Sequence, residues 1–410
     1  MRTLVVAAWL AAFAPAITIA QTTEPIRTLE DAQRVGEAHS PRLRAAEARR
    51  AAAAGERRQA AARPNPELFL DAENVAGRGA LSGVRGAELT AGLSQAFELG
   101  GKRAARIAAA EAGLAAAGTE RDLEALELRR DIAVAFVAAL AATRDLVVEA
   151  GRLDNARAVA AAVDERVRNG REPPVQASKA RIAEAAAESG RHRAARERDA
   201  RLAALAAVLG IRDAAVADAG WFDRIEAVAP IDPDAALLTN PAVARLGPLR
   251  ARAQAELARQ SALAIPDLTV RAGVRHDRDA DDTSLVFGLS IPLPLFDTNR
   301  GNIDRARQEL IGAEAEAEAL RRSVAGELTV ASQRLNAARR TAETLRARIV
   351  PAAAEVLAAA QEGYAAGKFG FLELLDAQRT RFDADAALVV ALKEYHLARI
   401  ALMRAAGGVY

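Results

Sequence analysis

Three kinds of residue in this sequence could do chemistry: histidines at 39, 192, 276 and 396, a Gly-Gly-Lys stretch at 100–102, and carboxylates along the whole chain. Histidine is the commonest metal ligand, and an i,i+4 pair on a helix clamps an ion from one face. These four are scattered without such a pair, cysteine is absent, and methionine amounts to Met1 and Met403. No metal centre is expected, and each histidine reads as a surface residue on a helix or loop. Gly100-Gly101-Lys102 suggests a phosphate cradle, but a P-loop needs glycine where Ala96 stands and Ser or Thr where Arg103 stands. The carboxylates are dispersed, mostly near Arg at the spacing of ordinary i,i+4 pairs. With no G-x-S-x-G motif and no cysteine nucleophile, neither an enzymatic activity nor a cofactor is expected.

The elements that carry these residues are mostly helical. In the 410 residues, 56 Lys and Arg balance 54 Asp and Glu, and the two signs are interspersed as on solvated helix faces, so no global field draws nucleic acid. Aromatics are only 4%, low for a compact core and suited to thin, Ala-lined helix interfaces. The opening MRTLVVAAWLAAFAPAITIAQTT has one Arg, an apolar run and Thr18-Ile19-Ala20 before Gln21. It reads as an export leader over 1–20, cleaved after Ala20, against the alternative of an N-terminal membrane anchor. Without cysteine, a lipid on an N-terminal Cys is excluded.

The chain also repeats itself. Ser40-Pro41 and Asn240-Pro241 each open an Ala/Arg helix that runs on to Pro66-Glu67-Leu68 or Pro266-Asp267-Leu268. GLSQAFELGGKR (92–103) aligns with GLSIPLPLFDTNR (288–300), and Gly170 aligns with Gly367. Two copies of one unit are expected, over 21–222 and 241–410, joined by a linker at 223–240. Each has a first helix (29–62; 241–263), two strands (66–74 and 86–97; 267–275 and 283–292), a very long helix (101–166; 299–364) and a returning helix (175–209; 371–406). A helix of about 65 residues spans about 100 Å, the dimension of a coiled-coil tube rather than of an ordinary domain.

The strands alternate in the manner of a membrane barrel. Leu268, Val270, Ala272 and Val274 face one side, while Thr269, Arg271, Gly273 and Arg275 face the other. Strand 66–74 is ambiguous, because Phe69 shares a face with Glu67 and Asp71. Four strands cannot close a barrel, and open edges are excluded from lipid, so several chains must pool their strands. Between strand and helix stand Gly100, Gly101 and Arg103 in the first unit and Arg300 and Gly301 in the second. Glycine there allows backbone angles that other residues resist.

The Pro-initiated strands, the strand-to-helix passages at 92–107 and 288–303, and above all YAAGKFGFLELLDAQRTRF (364–382) resemble the TolC-like outer-membrane efflux family over essentially the whole mature chain. The resemblance implies a mainly α fold with a small β-barrel part. Its assembly is a homotrimer whose 12-stranded barrel lies in outer-membrane lipid of a Gram-negative bacterium and continues into a periplasmic helical tunnel. SQAFELGGKRAAR (94–106) is similar to the CzcC-like branch, which exports cobalt, zinc and cadmium. Implied partners are a periplasmic adaptor and a proton-driven inner-membrane RND pump. By the family's pattern, Tyr364, Glu373 and Asp376 fall at the periplasmic constriction, where three copies of each carboxylate would form rings favouring cations. The turns carrying Gly170, Pro173 and Pro174, and Gly367, Lys368 and Phe369, fall where the adaptor docks. Two positions depart from relatives, with Gln176 where some carry an acid and Phe369 where a basic partner falls. The other readings are a duct for organic drugs or type I secretion and, from another class, a soluble periplasmic scaffold or adaptor.

Overall fold

The computed structural model describes residues 25–79, 83–217, 220–226 and 231–408; the leader at 1–20 lies outside them, as do parts of the 75–85 loop and of the linker. The expected first helix is two, α1 (Leu29–His39) and α2 (Pro41–Ala60). Pro41 has no N–H and disfavours helical geometry in the residue before it, so Ser40 is extended (φ −70°, ψ 116°) and its hydroxyl accepts from the Leu43 N–H at 3.3 Å. The second half repeats the device. Its expected helix 241–263 becomes α6 (Pro241–Ala244) and α7 (Leu246–Leu263), and part of the linker forms α5 (Pro233–Thr239). Asn240 stands in place of Ser40, accepting from the Ala242 N–H at 2.8 Å.

Strands β1 (Glu67–Glu73), β2 (Glu88–Phe97), β3 (Leu268–Asp277) and β4 (Asp282–Ser290) form one antiparallel sheet in the order β1-β2-β3-β4. The β2–β3 pair joins the two halves, with Leu93 opposite Ala272 and Thr90 opposite Arg275. The last strand stops at Ser290 rather than 292, since Pro292 and Pro294 cannot donate to a ladder. The sheet passes into α3 (Lys102–Arg168), α4 (Pro174–Leu209), α8 (Arg300–Thr344), α9 (Val350–Ala365) and α10 (Phe371–Ala405).

The 67 residues of α3 run unbroken for about 100 Å. The expected 299–364 helix does not. Pro351 removes one N–H and its ring collides with the carbonyl four residues back, so residues 345–349 open into a π-turn in which the Val350 N–H reaches the Leu345 carbonyl. The Val350 carbonyl, next to the proline, accepts from Arg381 Nη1 at 2.9 Å. No described helix is long and apolar enough to cross a membrane.

The main core lies midway along α3, where Ile132, Ala133, Phe136, Val137 and Leu140 are buried against α1, α4, α10 and the 220–226 segment. Trp221 stacks on His396 (ring centroids 4.2 Å apart) and meets Phe136 edge-on at 5.6 Å. His396 is only 1% exposed, with Nε2 2.9 Å from the Phe222 carbonyl. The surface reading of all four histidines is therefore corrected here: the apolar face of α10 draws this one into the core. Beside it, the Tyr395 hydroxyl donates to the Glu226 carbonyl (3.0 Å) and accepts from the Glu226 N–H (2.9 Å).

Tyr395→Phe leaves both Glu226 groups unpaired against a buried ring. It should cost about 1–3 kcal/mol, read as a lower midpoint of thermal unfolding by circular dichroism.

Candidate functional site

The strand-to-helix passages are fixed by backbone capping. Gly100 (φ 66°) and Gly101 (φ 75°) are both left-handed, and a Cβ on Gly100 would lie 2.7 Å from Ile265 Cδ1. Arg103 then donates twice to the Ala61 carbonyl (2.9 and 2.7 Å), and Arg106 donates to the Ala60 and Ala62 carbonyls and pairs with Glu98. The passage thus holds the C-terminal end of α2, where cations and donors are favoured. Lys102 reaches Asp267 at the start of the second half (2.7 Å). In the second passage the left-handed residue is Asn299 (φ 57°), whose Nδ2 donates to the Gln260 carbonyl at 2.7 Å near the end of α7. Arg300 and Gly301 are the first two residues of α8, and the space around Gly301 is open. Asparagine tolerates left-handed geometry, which is the signal that singles it out.

The two faces of the sheet differ chemically. Leu68, Leu70, Leu285, Phe287 and Leu289 stand outward, each more than 70% exposed. On the opposite face the register brings together Glu67, Phe69, Asp71 and Glu73 of β1, Glu88, Thr90, Gly92 and Ser94 of β2, and Arg271, Gly273 and Arg275 of β3. The ambiguity of strand 66–74 is resolved by Phe69, which lies on this polar face over Gly92 and Gly273. A Cβ on Gly92 would come within 2.6 Å of its ring. The Arg271 guanidinium covers the ring at 4.0 Å and approaches Asp71 at 3.4 Å.

At the far end of the long helices, two turns close alike. Gly170 (φ 68°) and Gly367 (φ 72°) are left-handed, and each begins the same pair of bonds back into its helix. Gly170 N–H reaches the Val167 carbonyl and Arg171 N–H that of Arg166; Gly367 N–H reaches Tyr364 and Lys368 N–H reaches Gly363 (2.8–3.0 Å). Pro173, extended, caps α4, and Pro174 opens it. Gly363 was not legible from sequence as a site. A Cβ there would stand 2.1 Å from Phe369 Cδ2, so this glycine is the seat of the Phe369 ring.

Tyr364 joins the two turns. It is 4% exposed, packed with Val159, Val163, Phe371 and Leu374. Arg166, from the other hairpin, stacks on its ring at 4.6 Å and donates to its carbonyl at 2.9 Å. Burial, and then the negative charge of Glu172, push its phenol above the ordinary range, with Arg166 opposing them. Glu373 lies in the first turn of α10, where the helix dipole favours an acid, and Asp376 follows at i+3; both are exposed. Lys368 and Phe369 are exposed on the turn itself. Among the described residues no cluster of metal-ligating side chains is present.

The chain is similar to known proteins in both sequence and fold. A family model described as outer membrane efflux protein matches twice, over residues 36–211 and 233–408. The chain is 35% identical over 339 residues to the cobalt-zinc-cadmium resistance protein CzcC of Cupriavidus metallidurans, covering 80% of this chain and 77% of that one. It is 30% identical over 294 residues to the nickel-cobalt-cadmium resistance protein NccC of Alcaligenes xylosoxydans xylosoxydans, covering 68% and 64%. In fold it is similar to the outer membrane protein VceC from Vibrio cholerae, with a TM-score of 0.76 at 23% identity over 93% of this chain and 96% of that one.

Gly363→Ala should unseat Phe369 at a cost of about 1–3 kcal/mol. Limited proteolysis with chymotrypsin should then cut after Phe369 faster than in the parent chain.

Proposed function

The chain belongs to the outer membrane efflux protein family, whose members are channels rather than enzymes, and from that premise we propose that it is the outer-membrane duct of a three-part export assembly for divalent heavy-metal cations. The observation that carries the duct is the sheet. One face is apolar and exposed, the other is charged, and β1 and β4 are edges with unpaired backbone groups. Lipid excludes such edges, so β4 of one copy pairs with β1 of the next, and three copies supply the twelve strands of a closed barrel. A soluble scaffold would leave Leu68, Leu70, Phe287 and Leu289 facing water for no gain. The long helices then continue the wall into the periplasm, as two repeats over 21–222 and 241–410.

The metal cargo rests on the resistance proteins to which the chain is similar. Co²⁺, Zn²⁺ and Cd²⁺ are substrates here, not resident ligands, and a conduit works only if it holds its cargo weakly. At the periplasmic end, Glu373 and Asp376 in three copies make a narrow acidic neck. Tyr364, clasped by Arg166 across the two hairpins, keeps that end closed. The turns at Gly170, Pro173 and Pro174 and at Gly367, Lys368 and Phe369 form the seat for a periplasmic adaptor, which couples the duct to a proton-driven pump in the inner membrane.

A deletion strain should lose tolerance to graded cobalt, zinc and cadmium and keep its tolerance to organic drugs; unchanged metal tolerance overturns the cargo. In planar bilayers, Glu373→Ala combined with Asp376→Ala should weaken block by divalent cations added on the periplasmic side about tenfold. Undiminished block would remove the acidic neck from the account.

A further inference from the structure

The polar face of the sheet holds an arrangement that the duct reading does not by itself explain. Glu73 of β1 and Glu88 of β2 are direct cross-strand partners. Opposed residues have Cβ atoms about 5 Å apart, and two carboxylates in that relation repel each other. They are also the oxygen-rich pair with which a divalent cation bonds. Here the space between them is filled by a side chain. Arg275 Nη1 donates to Glu88 Oε2 at 2.7 Å, Nη2 lies 3.4 Å from Glu73 Oε2, and Nε donates to Thr90 Oγ1 at 3.2 Å. Asn74, held left-handed at φ 54°, donates to the other Glu88 oxygen at 3.2 Å.

Arg271 repeats the pattern one layer away, reaching from β3 across β2 to Asp71 of β1. It can do so because β2 presents only Gly92 and Ser94 on this face at that level, and Phe69 fills the glycine floor beneath its guanidinium. Two arginines of the central strand thus lie flat in a trough of small residues, each against carboxylates of the edge strand.

We propose that Arg275, seconded by Arg271, is a specificity-determining residue of the duct: a fixed cation that occupies the Glu73–Glu88 pair so that passing divalent metal does not lodge there. The inference rests on the reading of this face as the lumen of a metal-carrying barrel. A wall of bare carboxylates would attract the cargo and retain it, whereas a wall on which Asp71, Glu73 and Glu88 are already paired guides it past them without a resting place there. Arginine suits the task, since its planar guanidinium pairs two carboxylates at once and never loses its charge.

The test is Arg275→Ala, with Arg275→Gln as a second variant that keeps a donor for Thr90. Isothermal titration of the detergent-solubilised protein with CdCl₂ should find about one added site per chain in both variants. In planar bilayers, Cd²⁺ added on the side of the turn between β3 and β4 (278–281) should block them at about tenfold lower concentration than the parent chain. Arg275→Lys keeps the charge but not the planar fork, so it should fall between the parent and Arg275→Gln, and combining Arg275→Ala with Glu73→Gln and Glu88→Gln should abolish both gains. A variant with parental circular dichroism but no added site overturns the inference, as does block that persists in the triple variant. A parent chain that forms no channel overturns the duct instead, and the titration still decides whether Arg275 occupies a metal site.

Discussion

A helix end leaves four backbone groups without an intrahelical partner, and a structure built from helices this long must answer that at every turn. Nearly every conspicuous residue of the chain is such an answer. Gly170, Gly210, Gly367 and Gly407 are left-handed, and each begins the paired bonds that close a helix. Arg103 and Arg106 close α2 from the strand-to-helix passage, and Asn299 closes α7 from the other. Asn240 closes α10 by donating to the Ala405 carbonyl. Arg166 covers the Tyr364 carbonyl, and Arg381 the Val350 carbonyl beside Pro351. Arginine in this protein is first a donor to carbonyls and carboxylates, and only then a surface charge.

The same demand acts on the sheet. Within one chain the two inner strands are paired on both sides and the two outer ones on one. The side chains divide in the same way: apolar groups stand on one face of the sheet, and ions that pair across strands stand on the other. On the polar face, Asp71, Glu73 and Glu88 are each met by an arginine of β3, while the outer edges of β1 and β4 keep their backbone groups free within the chain.

Much of the architecture was legible in the sequence, because its strongest signals are local. Alternation located all four strands to within two residues, and the Ala/Arg helices were placed along their length. Breaks were missed where a single proline overruled a long pattern, at Pro41 and Pro351, and at Arg245 between α6 and α7. Composition cannot say that Ser40 will extend or that a π-turn will absorb a clash. Asn299 was passed over for its neighbours Arg300 and Gly301, since glycine advertises positive φ more loudly than asparagine. Least legible were the contacts made at long range, among them the ring of Phe369 on Gly363, Arg166 on Tyr364, and His396 under Trp221. Each depends on residues that meet only when two hairpins or two halves are packed together. Arg275 was read only as a residue on the polar side of its strand, because Glu73 and Glu88 lie about 200 positions before it.

The π-turn before Pro351 has no counterpart in α3, which passes the same level of the wall without interruption. The two halves are therefore mechanically unlike, one a stiff strut and the other a limb with a joint already cut into it. Helices kink at π-turns and prolines, so any bend in this limb has its place at 345–349, whereas α3 offers none at that level.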